Sequence, residues 1–289
     1  MRVLSLFDGI SCGRLALSRA GIPVREYVAS EVDDHAVRVT QARFPDTVQL
    51  GDVRGVAGLS GVDLLLGGSP CQGFSFAGRQ LNFSDPRSAL FFEYVRVLRE
   101  VKPSYFLLEN VKMKAEFSDI ISEHLGVQPV LINSSLVSAQ NRERLYWTNI
   151  PFQGMPADRG VTLRNIIEDG HSWPQDPLVD GSRIHVVRNI YPKRGQNGNV
   201  YSVHGKSKTL SAGVGIRGNG IGSSNAPKIE ARNEAGWRRL TVTECERLQT
   251  VPDGHTAGPS DTQRYKMLGN CWTVDVVAHL LSGISFAIS

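Results

Sequence analysis

The sequence predicts an α/β protein in which a doubly wound, mostly parallel sheet is accompanied by a small, loop-rich β domain. Over residues 1–150, short apolar runs alternate with helical patterns, which is the order expected of βαβ units. From about residue 155 this rhythm stops, and residues 195–222 contain eight glycines. We therefore expect one domain of residues 1–155 plus 256–289 and a second domain of residues 156–255.

Each element is predicted from an apolar run and the residue that ends it. The predicted strands are Val3–Phe7, Tyr27–Ser30, Val48–Leu50, Leu64–Leu66 and Tyr105–Leu108. Helices are predicted around Leu15–Ala20, before Gly21, and over Asp33–Phe44, which Pro45 closes. A helical pattern returns at Thr243–Gln249, and the apolar stretch Thr273–Ser282 is expected to pack on the first domain.

Polar and glycine residues gather where the predicted strands end. Asp8-Gly9, Glu31, Asp52, Ser69-Pro70-Cys71 and Glu109 each follow such a run. In doubly wound sheets, ligands bind at the carboxyl ends of the strands. The sequence therefore predicts a ligand site at this edge of the sheet.

The first of these turns, Phe7–Gly13, offers glycine backbone and the start of a helix to a ligand. Glu31 follows about 20 residues later, where an acidic group commonly accepts hydrogen bonds from ribose hydroxyls. The pair favours an adenosine-containing ligand, although the turn by itself is equally compatible with an ordinary βα loop. A GxxxxGK[ST] loop is absent from the sequence, which argues against ATP.

Four cysteines lie far apart in the sequence, without a CxxC pair. This spacing favours neither zinc ligation nor a disulfide framework. Cys71 begins a Gly/Ser-rich loop at the predicted ligand edge, so it is a candidate nucleophile, with a small core residue as the alternative. Arg142 and Arg144 are two apart, and in one strand both side chains would point to one face.

Positive charge is concentrated in one segment. Residues 159–239 hold 13 Lys and Arg against 6 Asp and Glu, whereas the flanking regions are near neutral. A surface for a polyanion is one interpretation, and a solvated loop region is the other. No apolar run reaches the length of a membrane helix, which is roughly 18 residues, and the first residues resemble a buried strand more than a signal peptide. We therefore expect no membrane partner and a cytosolic location.

Six blocks resemble, in order and spacing, the DNA cytosine-5 methyltransferases. Phe7-Asp8-Gly9 is similar to the family's cofactor motif, Pro70-Cys71-Gln72 to its catalytic loop, Glu109-Asn110-Val111 to its catalytic glutamate and Gln140-x-Arg142-x-Arg144 to its arginine motif. Arg239–Gln249 and Arg264–Asn270 resemble the two closing blocks. Only about residues 155–235 are left unmatched.

Some details resemble particular branches of that family. Ser5–Ile10, Ala29–Val32, Gly67–Cys71 and Trp272 are similar to the eukaryotic de novo branch. The QxRxR and RLQ blocks resemble bacterial members, and no chromatin-reading module is appended. We therefore expect an enzyme of prokaryotic or phage type, acting in the cytoplasm at the nucleoid.

The resemblance implies a reaction, a cofactor and a Rossmann-like methyltransferase fold. A methyl group would pass from S-adenosylmethionine to C5 of a flipped-out cytosine in a specific duplex DNA sequence, leaving S-adenosylhomocysteine and requiring no metal. Cys71 would add covalently to C6 of the base, Glu109 would bind N3 and Arg144 would bind O2. Arg142 belongs to the same predicted catalytic set.

The remaining site residues also follow from the resemblance. The cofactor set is Phe7, Asp8, Gly9, Ile10, Ser11, Cys12, Glu31, Val32, Asp52, Val53, Ser69, Pro70, Leu90, Asn270, Cys271 and Trp272. Within this set, Phe7 would stack on the cofactor, Glu31 would bind its ribose and Asp52 its adenine amine. The DNA-binding set is Gln72, Ser75, Arg79, Arg183, Arg188, Arg194 and Arg217, with the basic segment acting as the target-recognition domain.

Two other functions remain open on the sequence. A tRNA cytosine-5 methyltransferase would share the fold, although the basic segment and the absence of that branch's Cys-Phe-Thr tripeptide favour DNA. A catalytically inactive, DNA-binding relative is disfavoured because the Pro-Cys and Glu-Asn-Val residues are intact. A cognate restriction endonuclease is a candidate partner, and the sequence leaves the oligomeric state open.

Overall fold

The computed structural model describes residues 1–70, 89–168, 173, 176, 178–212 and 226–284. A seven-stranded sheet has the order β3-β2-β1-β4-β5-β8-β6. Its strands are β1 (Arg2–Leu6), β2 (Glu26–Ser30), β3 (Val48–Gln49), β4 (Leu64–Gly67), β5 (Tyr105–Val111), β6 (Val130–Asn133) and β8 (Glu143–Thr148). Neighbouring strands from β3 through β5 are parallel, and β8 runs antiparallel to β5. The doubly wound, mostly parallel sheet is thereby confirmed.

Four helices alternate with these strands. They are α1 (Cys12–Arg19), α2 (Asp34–Arg43), α3 (Ala89–Val101) and α4 (Ala115–Leu125). Asp33 starts α2 by accepting a hydrogen bond from the backbone N–H of His35 at 3.0 Å. Gly126 ends α4 in the left-handed conformation, with φ of +72°.

The remaining strands and α-helices lie outside this sheet and its four helices. They are β7 (Gln140–Asn141), β9 (Val186–Asn189), β10 (Asn199–Tyr201), β11 (Ser207–Lys208), β12 (Lys228–Glu230), β13 (Trp237–Arg239), α5 (Val242–Leu248), α6 (Asp261–Asn270) and α7 (Val274–Leu281). Four of the strands form a sheet in the order β13-β12-β10-β9, and β11 pairs in parallel with β7. The expected small, loop-rich β region is therefore present.

The chain divides into two compact units. One consists of residues 1–132, 143–155 and 277–289, and the other of residues 133–142 and 156–276. Residues 133–142 and 256–276, which we assigned from the sequence to the first domain, thus belong to the second unit. The assignment of one domain to catalysis and the other to target recognition stays a prediction.

Strand β5 is longer than its apolar run indicates. Its register with β8 runs from Leu107 opposite Thr148 to Val111 opposite Arg144. Glu109 therefore lies inside the strand, and its predicted position at the strand end is wrong. The antiparallel partner explains the difference, because it supplies hydrogen bonds to residues that the apolar pattern alone does not mark as strand.

The core of the first unit lies between the central strands and α3 and α4. Leu65, Leu108 and Phe91 are completely buried in it. Gly67 lets α3 approach, because a Cβ at this position would lie 2.6 Å from Cε2 of Tyr94. The close approach brings the Tyr94 ring against the last residue of β4.

A buried lysine holds the second unit together locally. Lys206 is 1% exposed, and its Nζ donates to the carbonyl oxygens of Ser135 at 2.7 Å, Ser138 at 3.0 Å and Val161. Burial lowers the pKa of this amine, since desolvation penalises the charged form. Three carbonyls satisfy the three donors of an ammonium group, which explains how the side chain can be buried.

Among the helices of the described residues, none combines the length and the apolarity needed to cross a membrane.

Candidate functional site

The strand order reverses between β1 and β4, and the candidate site begins at this point. The chain after β1 contains Phe7, Asp8 and Gly9, and the chain after β4 leads to Ser69 and Pro70. Parallel strands of a doubly wound sheet bind ligands where such neighbouring connections diverge. Both turns belong to the predicted site, and both follow strands of the same unit.

The turn after β1 has a constrained backbone. Phe7, Gly9 and Ser11 have φ values of +57°, +60° and +58°. This left-handed region costs a residue with a side chain roughly 1–2 kcal/mol, so Phe7 and Ser11 adopt it only because their surroundings require it. Ile10 and Cys12, which complete the predicted set at this turn, are buried.

The Asp8 carboxylate fixes the shape of this turn. It accepts a hydrogen bond from Ser11 Oγ and another, at 2.7 Å, from Tyr27 Oη. Burial raises the pKa of Asp8 to about 6, although the hydrogen bonds from Ser11 and Tyr27 oppose that shift. Sequence reasoning did not find Tyr27, because nothing in an apolar strand pattern shows that a phenol faces a carboxylate.

Glu31 joins the ends of β1 and β2. Its Oε2 accepts from Gly9 N at 2.8 Å, and its Oε1 accepts from Val32 N at 2.7 Å and Asp33 N at 2.8 Å. A carboxylate has about four acceptor positions, so capacity remains on Oε2. The adjacent Val32 is 69% exposed, so it offers apolar surface beside this turn.

Asp52, Val53 and Leu90 have different surroundings. Asp52 caps a short 3₁₀ helix through Arg54 N at 2.9 Å and pairs with the Arg54 guanidinium. These hydrogen bonds lower the pKa of Asp52 to about 2. Val53 is buried and Leu90 packs on the same core as a partly buried residue, so their predicted cofactor contacts stay predictions.

Glu109 and Arg144 form an ion pair across two strands. Arg144 Nε lies 2.9 Å from Glu109 Oε1, and the side chains are 14% and 11% exposed. Glu109 is opposite Tyr146 in the register, so Arg144 is the diagonal neighbour on the same face of the sheet. The structure thus brings together two residues of the predicted catalytic set.

Asn110 connects β5 to the end of β4. Its Nδ2 lies 3.1 Å from Ser69 Oγ and 3.4 Å from the Ser69 carbonyl, and its Oδ1 accepts from Val111 N at 2.8 Å. Asn110 is 1% exposed. No separate role was predicted for Asn110, although it belongs to the Glu-Asn-Val block.

Arg142 binds backbone carbonyl oxygens. Strand β7 ends at Asn141 and β8 begins at Glu143, so the expectation that both arginines lie on one face of one strand is wrong. Arg142 is 2% exposed and donates to the carbonyl oxygens of Leu210, Gly269 and Cys271. Two predicted cofactor residues lie next to these contacts in the sequence. Asn270 is exposed, whereas Trp272 is only 9% exposed.

The predicted DNA contacts are only partly described. Arg183 pairs with Asp180 at 3.0 Å and leaves 78% of its side chain exposed, and Arg188 lies on β9, where all four residues are exposed. Arg194 lies in a 3₁₀ helix, Pro192–Gly198, but its side chain is outside the description. Cys71, Gln72, Ser75, Arg79 and Arg217 lie outside the described residues. The described part of the chain contains no group of three or more His, Cys, Asp and Glu able to hold a metal ion.

Known proteins resemble this chain over its whole length. The family model of the C-5 cytosine-specific DNA methylases matches residues 1–285. The type II methyltransferase M1.ScrFI of Lactococcus lactis subsp. cremoris is 30% identical over 96% of this chain and 76% of its own length. M.NlaX of Neisseria lactamica, also a type II methyltransferase, is 29% identical over 100% of this chain and 97% of its own. The structure of the Entamoeba histolytica methyltransferase EhMeth superimposes with a TM-score of 0.73 at 16% identity, covering 98% of this chain and 97% of that one.

Proposed function

The chain belongs to the C-5 cytosine-specific DNA methylase family, and its reaction is methyl transfer to C5 of cytosine in DNA; we propose that this reaction proceeds through a covalent bond from Cys71 Sγ to cytosine C6. The family match carries the reaction. The ion pair of Glu109 with Arg144 supports the proposed site, because it supplies the two groups that the cytosine ring needs besides the thiolate.

The chemistry explains why those groups are required. Cytosine C5 is a poor nucleophile until a thiolate adds at C6, when the ring electrons move towards C5 and N3. Glu109 would hold a proton at N3, and Arg144 would donate to O2, so that negative charge on the ring is neutralised. After methylation the C5 proton leaves, the C5–C6 double bond returns and the Cys71 sulfur is expelled.

Packing around Glu109 suits this role. The Arg144 guanidinium fixes the orientation of the carboxylate, and both side chains keep a small exposed surface from which a base can be reached. Asn110, the next residue, binds Ser69 two positions before Cys71. We propose that this contact helps to position the start of the catalytic loop.

The turns after β1 and β2 fit S-adenosylmethionine, which supplies an electrophilic methyl group on a positively charged sulfur. Acceptor capacity remains on Glu31 Oε2 for a ribose hydroxyl, and exposed Val32 provides apolar surface beside it. Among the described residues, no atom would lie within 4 Å of a Cβ built on Gly51, so there is space beside Asp52. We propose that these residues and Phe7 bind the cofactor, with Asn270–Trp272 assigned to it by the family motif.

Duplex DNA is the proposed substrate because of the family and the basic segment. The target carbon is stacked inside the duplex, so the base must be flipped out at a cost of a few kcal/mol. Exposed Arg183 and Arg188 are available for phosphates or base edges. We also propose a cognate endonuclease as partner, since the relatives are named type II methyltransferases. The proposed location is the nucleoid of a prokaryotic or phage-infected cell.

The function can be tested in cells that lack methyltransferases. We would express the protein, sequence the host DNA by a bisulfite method and compare a Cys71→Ala variant. Methylation at C5 in one short sequence, absent in the variant, is expected. Cys245→Ala is the matched control, because this thiol is completely buried and burial raises its pKa far above the ordinary range.

A covalent trap tests the mechanism separately. With S-adenosylmethionine present, a 5-fluorocytosine at the target can be methylated at C5 but has no C5 proton to lose, so the Cys71–C6 bond should persist and shift the protein on a denaturing gel. The Cys245→Ala variant should form the complex, and Cys71→Ala should not. If the protein methylated tRNA and left duplex DNA unmodified, it would be a tRNA cytosine-5 methyltransferase. If the Cys71→Ala variant still methylated DNA, Cys71 would not be the nucleophile.

A further inference from the structure

The Arg142 guanidinium binds two separate segments of the second unit, one at Leu210 and the other at residues 269–271. Its Nη1 donates to the Leu210 carbonyl at 2.8 Å, and its Nη2 donates to the carbonyls of Cys271 at 2.9 Å and Gly269 at 3.3 Å. The side chain is 2% exposed. A planar guanidinium has donors in fixed directions, so it holds these carbonyls in one arrangement.

Leu210 is held through both of its backbone groups. Its N–H donates to Gln140 Oε1 at 3.2 Å, while its carbonyl accepts from Arg142. Gln140 is itself fixed, since its Nε2 donates to the Leu248 carbonyl at 2.8 Å and to Gln249 Oε1 at 2.9 Å. Side chains of the Gln140-x-Arg142 block therefore extend the β7–β11 pairing to the backbone after β11.

Gly269 brings the end of α6 against the same stretch of chain. A Cβ at this position would lie 2.1 Å from Ala212 N and 2.3 Å from the Ser211 carbonyl carbon. Atoms do not approach so closely, so only glycine fits without movement of the backbone. Residues 207–212 and 269–271 are therefore joined by backbone packing as well as by Arg142.

We propose that Arg142 is a positioning residue, which does not contact cytosine but links cofactor binding at residues 270–272 to the conformation of residues 207–212. The inference rests on the proposed function, in that Asn270–Trp272 bind S-adenosylmethionine. Ligand contact at residues 270–272 steadies the carbonyls of Gly269 and Cys271, and through the Arg142 guanidinium it steadies Leu210.

Amide hydrogen exchange on the unmodified protein tests the link directly. S-adenosylhomocysteine is added, and exchange is followed at the Leu210 amide, which donates to Gln140. We expect exchange there to slow by about fivefold or more. The β9 amides of residues 186–189, which belong to the same unit but to another sheet, serve as the internal control and should not change.

A pair of variants separates positioning from catalysis. Arg142→Lys keeps the charge but loses the planar fork, so we expect the Kd of S-adenosylhomocysteine and the KM of S-adenosylmethionine to rise about tenfold, with kcat changed much less. Arg144→Lys should instead lower kcat and leave the cofactor Kd within about twofold. Titration calorimetry and steady-state kinetics measure both quantities.

The outcomes distinguish this inference from the proposed function. If the unmodified protein binds no S-adenosylhomocysteine, the proposed cofactor, and with it the proposed function, fails. If the ligand binds while exchange at Leu210 is unchanged, the link through Arg142 is refuted and the function stands. A loss of kcat with unchanged cofactor affinity in Arg142→Lys would return Arg142 to the catalytic set. The exchange measurement uses the unmodified protein, so it tests the link through Arg142 even if the Arg142→Lys variant does not fold.

Discussion

Asp8 is a buried carboxylate in the turn after β1, and its protonation depends on pH. It lies between Phe7 and Gly9, whose backbones are both left-handed, and it accepts hydrogen bonds from Ser11 and Tyr27. Because burial raises its pKa to about 6, the folded protein holds a proton there that the unfolded chain releases. The turn therefore contains a group that titrates near neutral pH.

The consequence for stability follows from proton binding. Between the ordinary pKa of an Asp and about 6, the native state binds more protons, so the contribution of Asp8 to the free energy of unfolding falls as pH rises. Asp8→Asn should remove this contribution. The free energy of unfolding of the variant should therefore increase relative to that of the unmodified protein as pH rises through that window. Urea unfolding at several pH values measures the difference, and a constant difference would contradict the prediction.

Replacement of tyrosine by phenylalanine should have opposite effects on stability at Tyr94 and at Tyr27. Within the described residues, the completely buried Tyr94 hydroxyl has no hydrogen-bond partner, whereas Tyr27 Oη donates to Asp8. Tyr94→Phe should therefore stabilise the protein, by about 1 kcal/mol, because an unsatisfied hydroxyl is costly to bury. Tyr27→Phe should destabilise it. Chemical unfolding compares the two, and a loss of stability in Tyr94→Phe would contradict this account.

At the scale of elements, α5 illustrates a motif whose residues are structural. Thr241 Oγ1 accepts from Glu244 N at 3.2 Å, and Glu244 Oε2 accepts from Thr241 N at 2.8 Å, which is a capping box. Glu244 is completely buried, and Arg238 Nη2 lies 2.7 Å from its Oε1. The family block thus marks the start of a helix together with a buried carboxylate that is paired with Arg238.

Glu244→Ala should be strongly destabilising. It removes the ion pair with Arg238, the hydrogen bond from the Glu168 backbone N–H and the cap, so we expect a loss of about 2 kcal/mol or more. Glu116→Ala, in the first turn of α4, is the matched control, because this side chain is 63% exposed and its distance to Lys114 is 3.8 Å. Its expected cost is under about 0.5 kcal/mol. Equal losses in the two variants would contradict the assignment.

Strands and helices of the first half were largely predictable, because each fills one apolar run and ends at a turn residue. Strand β5 was not, since its last residues depend on pairing with β8. The break at Arg142 was also missed, because alternation cannot distinguish one strand from two short ones. Of the candidate site, sequence blocks identified Glu109 and Arg144, but the contacts of Asn110, Tyr27 and Arg142 arise only from the folded chain.

At the scale of the whole molecule, ligand binding should appear as stability. A ligand that binds only the folded chain stabilises it by about 2.7 kcal/mol at about 100 times its Kd. S-adenosylhomocysteine should therefore raise the thermal unfolding midpoint, and ATP should not. Differential scanning fluorimetry measures both. A midpoint unchanged by saturating S-adenosylhomocysteine would contradict the proposed cofactor.

The two compact units do not follow the domain boundaries expected from the sequence. Residues 133–142 and 256–276 carry family blocks, and yet they belong to the second unit. Motif order follows the chain, whereas compactness follows packing, as when Gln140 binds Gln249. The fold class could therefore be predicted from local patterns, but the division of the chain could not.

Lys206 gives the folded chain a chemical signature. Its amine is enclosed by three carbonyl oxygens, so an acylating reagent such as acetic anhydride cannot reach it while that enclosure is intact. Exposed Lys112, with 52% of its side chain accessible, should react at once. The ratio of acetyl groups on these two lysines, read by mass spectrometry, therefore counts the molecules in any preparation whose second unit has opened.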